Sequence, residues 1–225
     1  MPSVAAAMID KSDFATLIID GLSGGSRLEG FASVFVALLR ELVKGSPVSV
    51  RVLAEASGQS LDQVDAVLRQ APDIEYDPAG NIVGYGITQR QTPHVFEVEG
   101  RRLYTWCALD TLMFPALIGK SARVRSLCPE TGMPVSLTAA PHELCAVEPL
   151  DAAVSLAVPQ TGIRQSFCCQ VHFFASRADG DRGVLRHPEG GVVSVEAAFL
   201  LGQEIARRLA QSAKVLLPTL DENHP

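Results

Sequence analysis

The chain contains no Cys-x-x-Cys pair, although it carries five cysteines. That absence excludes the common zinc clip and the thioredoxin-like redox motif. No stretch approaches the roughly 20 consecutive apolar residues that a membrane-spanning helix needs, so no membrane partner is expected. Basic charge is in deficit. With 19 Lys and Arg against 25 Asp and Glu, the net charge of −6 argues against nucleic acid or an anionic membrane as the main partner. The N-terminus lacks a basic n-region, and Asp10, Lys11 and Asp13 interrupt any apolar signal core. The expectation is a cytoplasmic protein whose cysteines stay reduced, which an odd thiol count fits. Also missing are a glycine-rich phosphate loop, His-Glu-x-x-His, Gly-x-Ser-x-Gly, internal repeats and low-complexity tracts. Their absence removes the signatures of P-loop, zincin and serine-hydrolase chemistry.

What is present is apolar mass. A chain of 225 residues with 47% hydrophobic content can bury a sizeable core, as one large domain or two small ones. Residues 1–27 read as a flexible extension, with Ser23-Gly24-Gly25-Ser26 as a joint. From Phe31 to Lys44 the residues Phe31, Val34, Phe35, Leu38, Leu39 and Leu42 recur at helical spacing, and Gly45 and Pro47 end the run. Ser49 precedes a helix over Val50–Ala56, and Ser60 caps another to about Ala71 that buries Leu61, Val64, Val67 and Leu68. Strand-like pieces between Ile74 and Val98 surround turns at Asp77-Pro78-Ala79-Gly80-Asn81 and Gly84. Residues 28–100 therefore predict a winged-helix-like module. Its recognition helix carries Asp62 and Asp65 against a single Arg69, whereas phosphate binding needs clustered cations. The acidic face favours a structural or interaction module over DNA binding.

Residues 101–225 form the second domain. A helix is expected over Leu103–Leu112, with Pro115 and Gly119 after it. Strands are expected at Ala122–Arg125, Pro134–Thr138, Ala152–Val158 and Gln165–Ala175, and a closing amphipathic helix runs from about Ser194 to Leu209. The fold class is α+β: a three-helix, winged-helix-like module followed by a mixed α/β domain with a small, mainly antiparallel sheet.

Two cysteine settings carry chemistry. In Trp106-Cys107-Ala108-Leu109-Asp110, a helix would place the thiol of Cys107 and the carboxyl of Asp110 on one face. Trp106, Leu109, Met113 and Phe114 would line it, and desolvation there raises a carboxyl pKa toward neutrality. Taken alone, the pattern also describes a buried core cysteine beside a solvated Asp, and that plainer description has the higher prior. In Ser166–Phe174, strand alternation puts Ser166, Cys168, Gln170, His172 and Phe174 on one face, and Phe167, Cys169, Val171 and Phe173 on the other. Cys169 then fills core, and Cys168 faces a cleft. His172 could ligate a metal from that face, but a lone strand histidine is more often structural. Cys128 opens half a zinc knuckle that cannot complete a four-ligand site, so it is placed in a β-turn. Cys145 has no recognisable partner.

Two motifs go further. Arg102–Leu112 with Phe114–Gly119 closely resembles the organomercurial lyase (alkylmercury lyase) family. Arg164–Cys169 with Val171–Ser176 matches that family's second signature, and Asp77–Tyr85 with Gly86 also looks like it. The resemblance spans roughly residues 30–212. It implies that residues 101–225 are the catalytic domain and that the reaction is protonolysis of a carbon–mercury bond, giving a hydrocarbon and Hg(II) for detoxification. It implies that Cys107 and Cys168 hold substrate and product mercury, that Asp110 carries the proton, and that Cys128 is structural; Cys145 departs from it. No organic cofactor is implied, and the partners are an organomercurial, low-molecular-weight thiols and a mercuric reductase that accepts Hg(II). The competing description is a cysteine-based, metal-responsive winged-helix regulator, against which stand the acidic recognition helix and the carboxyl beside Cys107.

Overall fold

The computed structural model describes residues 11–24, 30–159, 162–185 and 190–217. The first element, α1 (Lys11–Leu22), departs from expectation: twelve residues of the supposed flexible extension are helical. Phe14, Ala15, Ile18 and Leu22 are all buried, at spacings that form one helical stripe. Removing a large apolar side chain from water contributes about 1.5–3 kcal/mol, enough to hold a short helix against the core. Of the Ser23-Gly24-Gly25-Ser26 joint, the last two residues lie outside the described residues.

Next come α2 (Phe31–Leu42), α3 (Val50–Ser57) and α4 (Leu61–Gln70). Ser49 caps α3 by accepting from the Val52 N–H, and Gly58 ends it in a left-handed conformation. Ser60 and Gln63 form a reciprocal capping box at α4. Leu61 is a correction: it sits 51% exposed, because only the Val64, Val67 and Leu68 stripe meets the core. On the outer face of α4, Arg69 lies 3.6 Å from Asp65, so its charge is partly met within the helix.

The strands that follow are β1 (Glu75–Tyr76), β2 (Ile82–Tyr85), β3 (Ile87–Thr88), β4 (His94–Val98) and β5 (Arg101–Thr105). The segment from Leu103 was expected to be helical, yet it enters β5 and pairs antiparallel with β4. Arg101, Arg102 and Tyr104 alternate imperfectly with buried Leu103 and Thr105, a short two-residue period that the helix after it obscures. That helix, α5 (Ala108–Ile118), runs straight through Pro115. Every one of its residues is buried, so it is hydrophobic all round and tertiary packing overrides the loss of one helical N–H.

Beyond it lie β6 (Ala122–Leu127), β7 (Pro134–Ala139), β8 (Leu144–Glu148), β9 (Ala153–Leu156), α6 (Ile163–Ser166), β10 (Phe173–Phe174), α7 (Arg177–Val184), β11 (Gly191–Ser194) and α8 (Val195–Ala213). Gln165–Ala175 is not one strand. It is the end of α6, a 3₁₀ turn at Cys168–Gln170, and only then the two-residue β10.

All pairings are antiparallel. An eight-stranded sheet runs β1-β2-β3-β5-β4-β6-β7-β8, and a three-stranded sheet runs β10-β9-β11. The wing-like strands β1–β3 are thus continuous with the sheet of the second half. Helix α5 packs on α2, α8 and strands β4–β7, and Phe35 of α2 meets both Tyr85 and Phe114 edge-on at 5.5 and 6.2 Å.

The turn between β2 and β3 is moulded to α5. Gly86 has φ of +76°, and a Cβ there would lie 2.5 Å from the Phe114 ring. Gly86→Ala combines left-handed strain with overpacking, and a loss of about 2–4 kcal/mol is expected. Urea unfolding should show a lower midpoint at unchanged slope; an unchanged midpoint would contradict this packing.

Candidate active site

The site is built at the start of α5. Cys107 is the N-cap, with extended backbone (φ −148°, ψ 172°), and Asp110 occupies the third helical position. The Cys107 N–H donates to Asp110 Oδ2 at 3.1 Å, while the Asp110 N–H is directed at the Cys107 sulfur. Cys107 and Asp110 therefore meet as a capping box, and not as two residues on the face of an established helix.

The second thiol arrives from the 3₁₀ turn. Ala108 N–H donates to the Val171 carbonyl at 3.1 Å, and Val171 N–H reaches back to the Cys168 carbonyl at 3.3 Å. Ser155 of β9 fixes the other flank, donating to the Gln170 carbonyl at 2.7 Å and accepting from the His172 N–H at 2.9 Å. Within this frame one sulfur from Cys107, one from Cys168 and a carboxylate oxygen of Asp110 lie within 4.8 Å of one another. Cys107 is fully buried and the other two nearly so. Among the described residues no other group of three His, Cys, Asp or Glu converges in this way.

Strand alternation does not describe the neighbours of Cys168. Because the chain turns there, Phe167 and Cys168 both face inward, and Cys169 is exposed instead of filling core. Cys169 and His172 line a separate surface cavity of about 280 Å³ with Ser155 and Glu130. His172 stacks on buried His94 at 5.8 Å and sits 3.0 Å from the Cys169 carbonyl. Cys128 is buried in a turn closed by Cys128 N–H to the Met133 carbonyl and Gly132 N–H to the Cys128 carbonyl, both at 2.8 Å. Cys145 is exposed on the edge strand β8.

Burial dominates the electrostatics. It pushes the Asp110 carboxyl up to about 7, against hydrogen bonds from Cys107 that pull it down. Burial likewise drives the Cys107 thiol well above its ordinary value, helped by its bond to Cys168 and the Asp110 charge. The bond with Cys107 lowers Cys168, but burial and Asp110 leave it raised. The N-terminus of α5 favours a thiolate at Cys107, yet desolvation wins. The resting site holds two neutral thiols and a carboxyl poised near neutrality.

A buried carboxylate completes the surroundings. Glu75 accepts from Trp106 Nε1 at 3.2 Å and from Thr88 Oγ1 at 2.5 Å, and pairs with Arg164 at 2.7 Å and Arg90 at 3.8 Å. The Arg164 guanidinium lies over the Trp106 ring at 4.7 Å. Sequence reasoning missed Glu75. Its only local signal is the Gly84 opposite it in the ladder, within a segment already marked by its glycines.

Comparison with known proteins shows what the chain as a whole is similar to. The family model for alkylmercury lyase matches residues 87–207, and that for the helix-turn-helix domain of alkylmercury lyase matches residues 13–86. An alkylmercury lyase of Pseudomonas putida is 53% identical over 208 residues, covering 92% of this chain and 98% of the relative. Alkylmercury lyases of Streptomyces lividans and Bacillus cereus are 44% and 42% identical, covering 87% and 82% of this chain and 92% and 85% of their own lengths. Among solved structures, the mercury-bound form of MerB2 superposes with a TM-score of 0.70 over 88% of this chain and 98% of its own. At 23% identity that likeness shows the fold.

The position of Asp110 carries a stability cost with a definite sign. Its folded pKa of about 7 lies above the ordinary carboxyl value, so its favourable contribution is complete only at acid pH and is lost as pH rises through 7. Asp110→Asn keeps an oxygen to accept the Cys107 N–H. Its stability relative to the parent should therefore grow by on the order of 2 kcal/mol between pH 5 and pH 8. Calorimetry at the two pH values checks this, and a pH-independent difference would refute it.

Proposed function

We propose, from the premise that this chain belongs to the alkylmercury lyase family, that Cys107, Cys168 and Asp110 carry out its reaction. The enzyme is an organomercurial lyase that cleaves the carbon–mercury bond by protonolysis. The observation that carries the site assignment is the convergence of two thiols and one near-neutral carboxyl in a buried space.

Thiolates are the soft ligands a protein offers to a soft metal. An organomercurial arriving as a thiol complex exchanges onto one buried cysteine, whose proton leaves with the departing soluble thiol. The second cysteine then binds mercury, and its proton passes to ionised Asp110. Two sulfur donors push electron density toward the mercury-bound carbon, which becomes basic enough to take that proton from Asp110. The carbon–mercury bond breaks to hydrocarbon, Asp110 returns to carboxylate, and Hg(II) stays on Cys107 and Cys168. Two soluble thiols, or the thiols of a mercuric reductase, displace it and return the protons.

This sequence asks for no organic cofactor, since mercury's polarisability and the three side chains supply the electronic and proton steps. It asks for a reducing, cytoplasm-like setting, and the five cysteines are free. Among the described residues no helix is long and apolar enough to cross a membrane. Trp106, Phe167 and Leu109, the chain neighbours of Cys107, Cys168 and Asp110, are buried apolar side chains of the kind that suits alkyl and aryl groups. We assign the helical module a structural part and not DNA binding, on the acidic face of α4 and the internal Arg69–Asp65 pair.

Headspace measurement of benzene from phenylmercuric acetate with excess thiol tests the reading. Cys107→Ser, Cys168→Ser and Asp110→Ala should each lose at least about 100-fold in kcat, whereas exposed Cys169→Ser should stay near the parent. Full activity in Cys168→Ser with loss in Cys169→Ser would reverse the assignment. Because free Asp110 must be ionised to accept a thiol proton, kcat/KM should fall as pH drops through about 7; a flat profile from pH 5 to 8 would exclude that role.

A further inference from the structure

We propose that Glu75 is a positioning residue of the reaction, its buried carboxylate clasping together the two segments that carry Cys107 and Cys168. The proposal rests on the assignment of those cysteines as the mercury-holding pair. One oxygen of Glu75 serves both segments at once: Oε1 accepts from Trp106 Nε1 at 3.2 Å and meets Arg164 Nη1 at 2.7 Å. Trp106 directly precedes Cys107, and Arg164 lies four residues before Cys168. The stack of Arg164 on Trp106 at 4.7 Å closes a triangle whose corners come from three distant parts of the chain. The other oxygen is fixed by Thr88 at 2.5 Å, with Arg90 at 3.8 Å.

The fold has made room for this carboxylate. Glu75 pairs with Gly84 across the β1–β2 ladder. A Cβ at Gly84 would lie 2.6 Å from Glu75 Oε2 and 2.6 Å from Thr88 Oγ1, so a side chain there would collide with the carboxylate and its partner. The Glu75 side chain is only 2% exposed, against 34% for Arg164. A buried carboxylate whose neighbours all donate to it is a rigid anchor, and the partly exposed arginine is the limb it holds.

The clasp gives the helix-turn-helix-like part a place in the reaction. Glu75 stands within residues 13–86, the stretch matching the helix-turn-helix family model, while both thiols stand outside it. Simultaneous ligation of mercury by two thiols from separate segments requires their spacing to be held. Capture by a single thiol does not. Loosening the clasp should therefore slow the protonolysis step that needs both sulfurs, and weaken retention of Hg(II), while leaving initial capture largely intact.

Glu75→Gln keeps the size and an accepting oxygen but gives up the charge that holds Arg164. It should lower kcat by about 10- to 100-fold with KM changed less than about threefold. Soluble thiol should also strip bound Hg(II) at a roughly tenfold lower concentration, followed by the ultraviolet mercury–thiolate band. Trp106 is the only tryptophan of the chain, so its emission reports the clasp directly and should shift in the variant. Arg164→Gln, at a half-exposed residue, should reproduce the kcat and retention effects even where a Glu75 variant folds poorly. Parent-like kcat and Hg(II) retention in both variants, with Cys107→Ser inactive, would overturn the clasp alone. An active Cys107→Ser would overturn the site assignment and the clasp with it.

Discussion

Three successive backbone N–H groups determine where the two buried thiols and the buried carboxyl sit. The first turn of any helix leaves its N–H groups without helical partners. Leading into α5, Trp106 N–H is taken by the Gly86 carbonyl at 3.0 Å, Cys107 N–H by the Asp110 carboxylate at 3.1 Å, and Ala108 N–H by the Val171 carbonyl at 3.1 Å. Each acceptor belongs to a different piece of the molecule: the β2–β3 turn, the helix itself, and the segment bearing Cys168. Left unpaired, each buried donor would cost about 1–3 kcal/mol. The same bonds that let a wholly buried helix begin are thus the bonds that bring two thiols and a carboxyl together.

Burying these groups runs against stability. A carboxyl raised to about 7 by desolvation, and two thiols raised by burial, count against folding stability. They become useful when a soft cation enters. In the reaction we propose, mercury displaces thiol protons that burial alone would retain, and the poised carboxyl beside them takes one up. A well-solvated aspartate would be ionised throughout the neutral range and a poor donor to carbon. On that proposal, the desolvation that raises Asp110 to about 7 is what suits it to carry a proton in both directions.

Legibility in the sequence follows how local each signal is. The helices α2, α3 and α4 are readable because caps and stripe lie within a few residues: Ser49 with Gly58, and Ser60 with Gln63. The closeness of Cys107 to Asp110 is readable from a three-residue spacing, although a capping box and not a helix face produces it. What escapes is whatever depends on the third dimension. Helix α5 has no polar face to reveal a period, so its start was placed several residues early, inside β5. The turn at Cys168 is held by Ser155 and Ala108, neither near it in sequence, and alternation therefore misplaced Cys169. For Glu75 the one mark is Gly84, nine residues on, which means something only once the two strands are paired.

The same distinction bears on the helix-turn-helix-like module, to which we assigned a structural part. An independent winged helix would end its sheet at the wing. Here β3 pairs with β5, so the wing strands are the first strands of the sheet on which α5 rests. Helix α2 places Phe35 between Tyr85 and Phe114, and Tyr85 in turn lies edge-on to Trp106 at 5.3 Å. Aromatic contacts thus run from the helical module to the residue next to Cys107. The inner face of such a module is the constrained one: Gly84 makes room for Glu75, Gly86 for Phe114, and Tyr85 meets Trp106. On the outer side, α4 presents Asp62, Asp65 and the exposed Leu61, while its constrained side is the buried Val64, Val67 and Leu68 stripe.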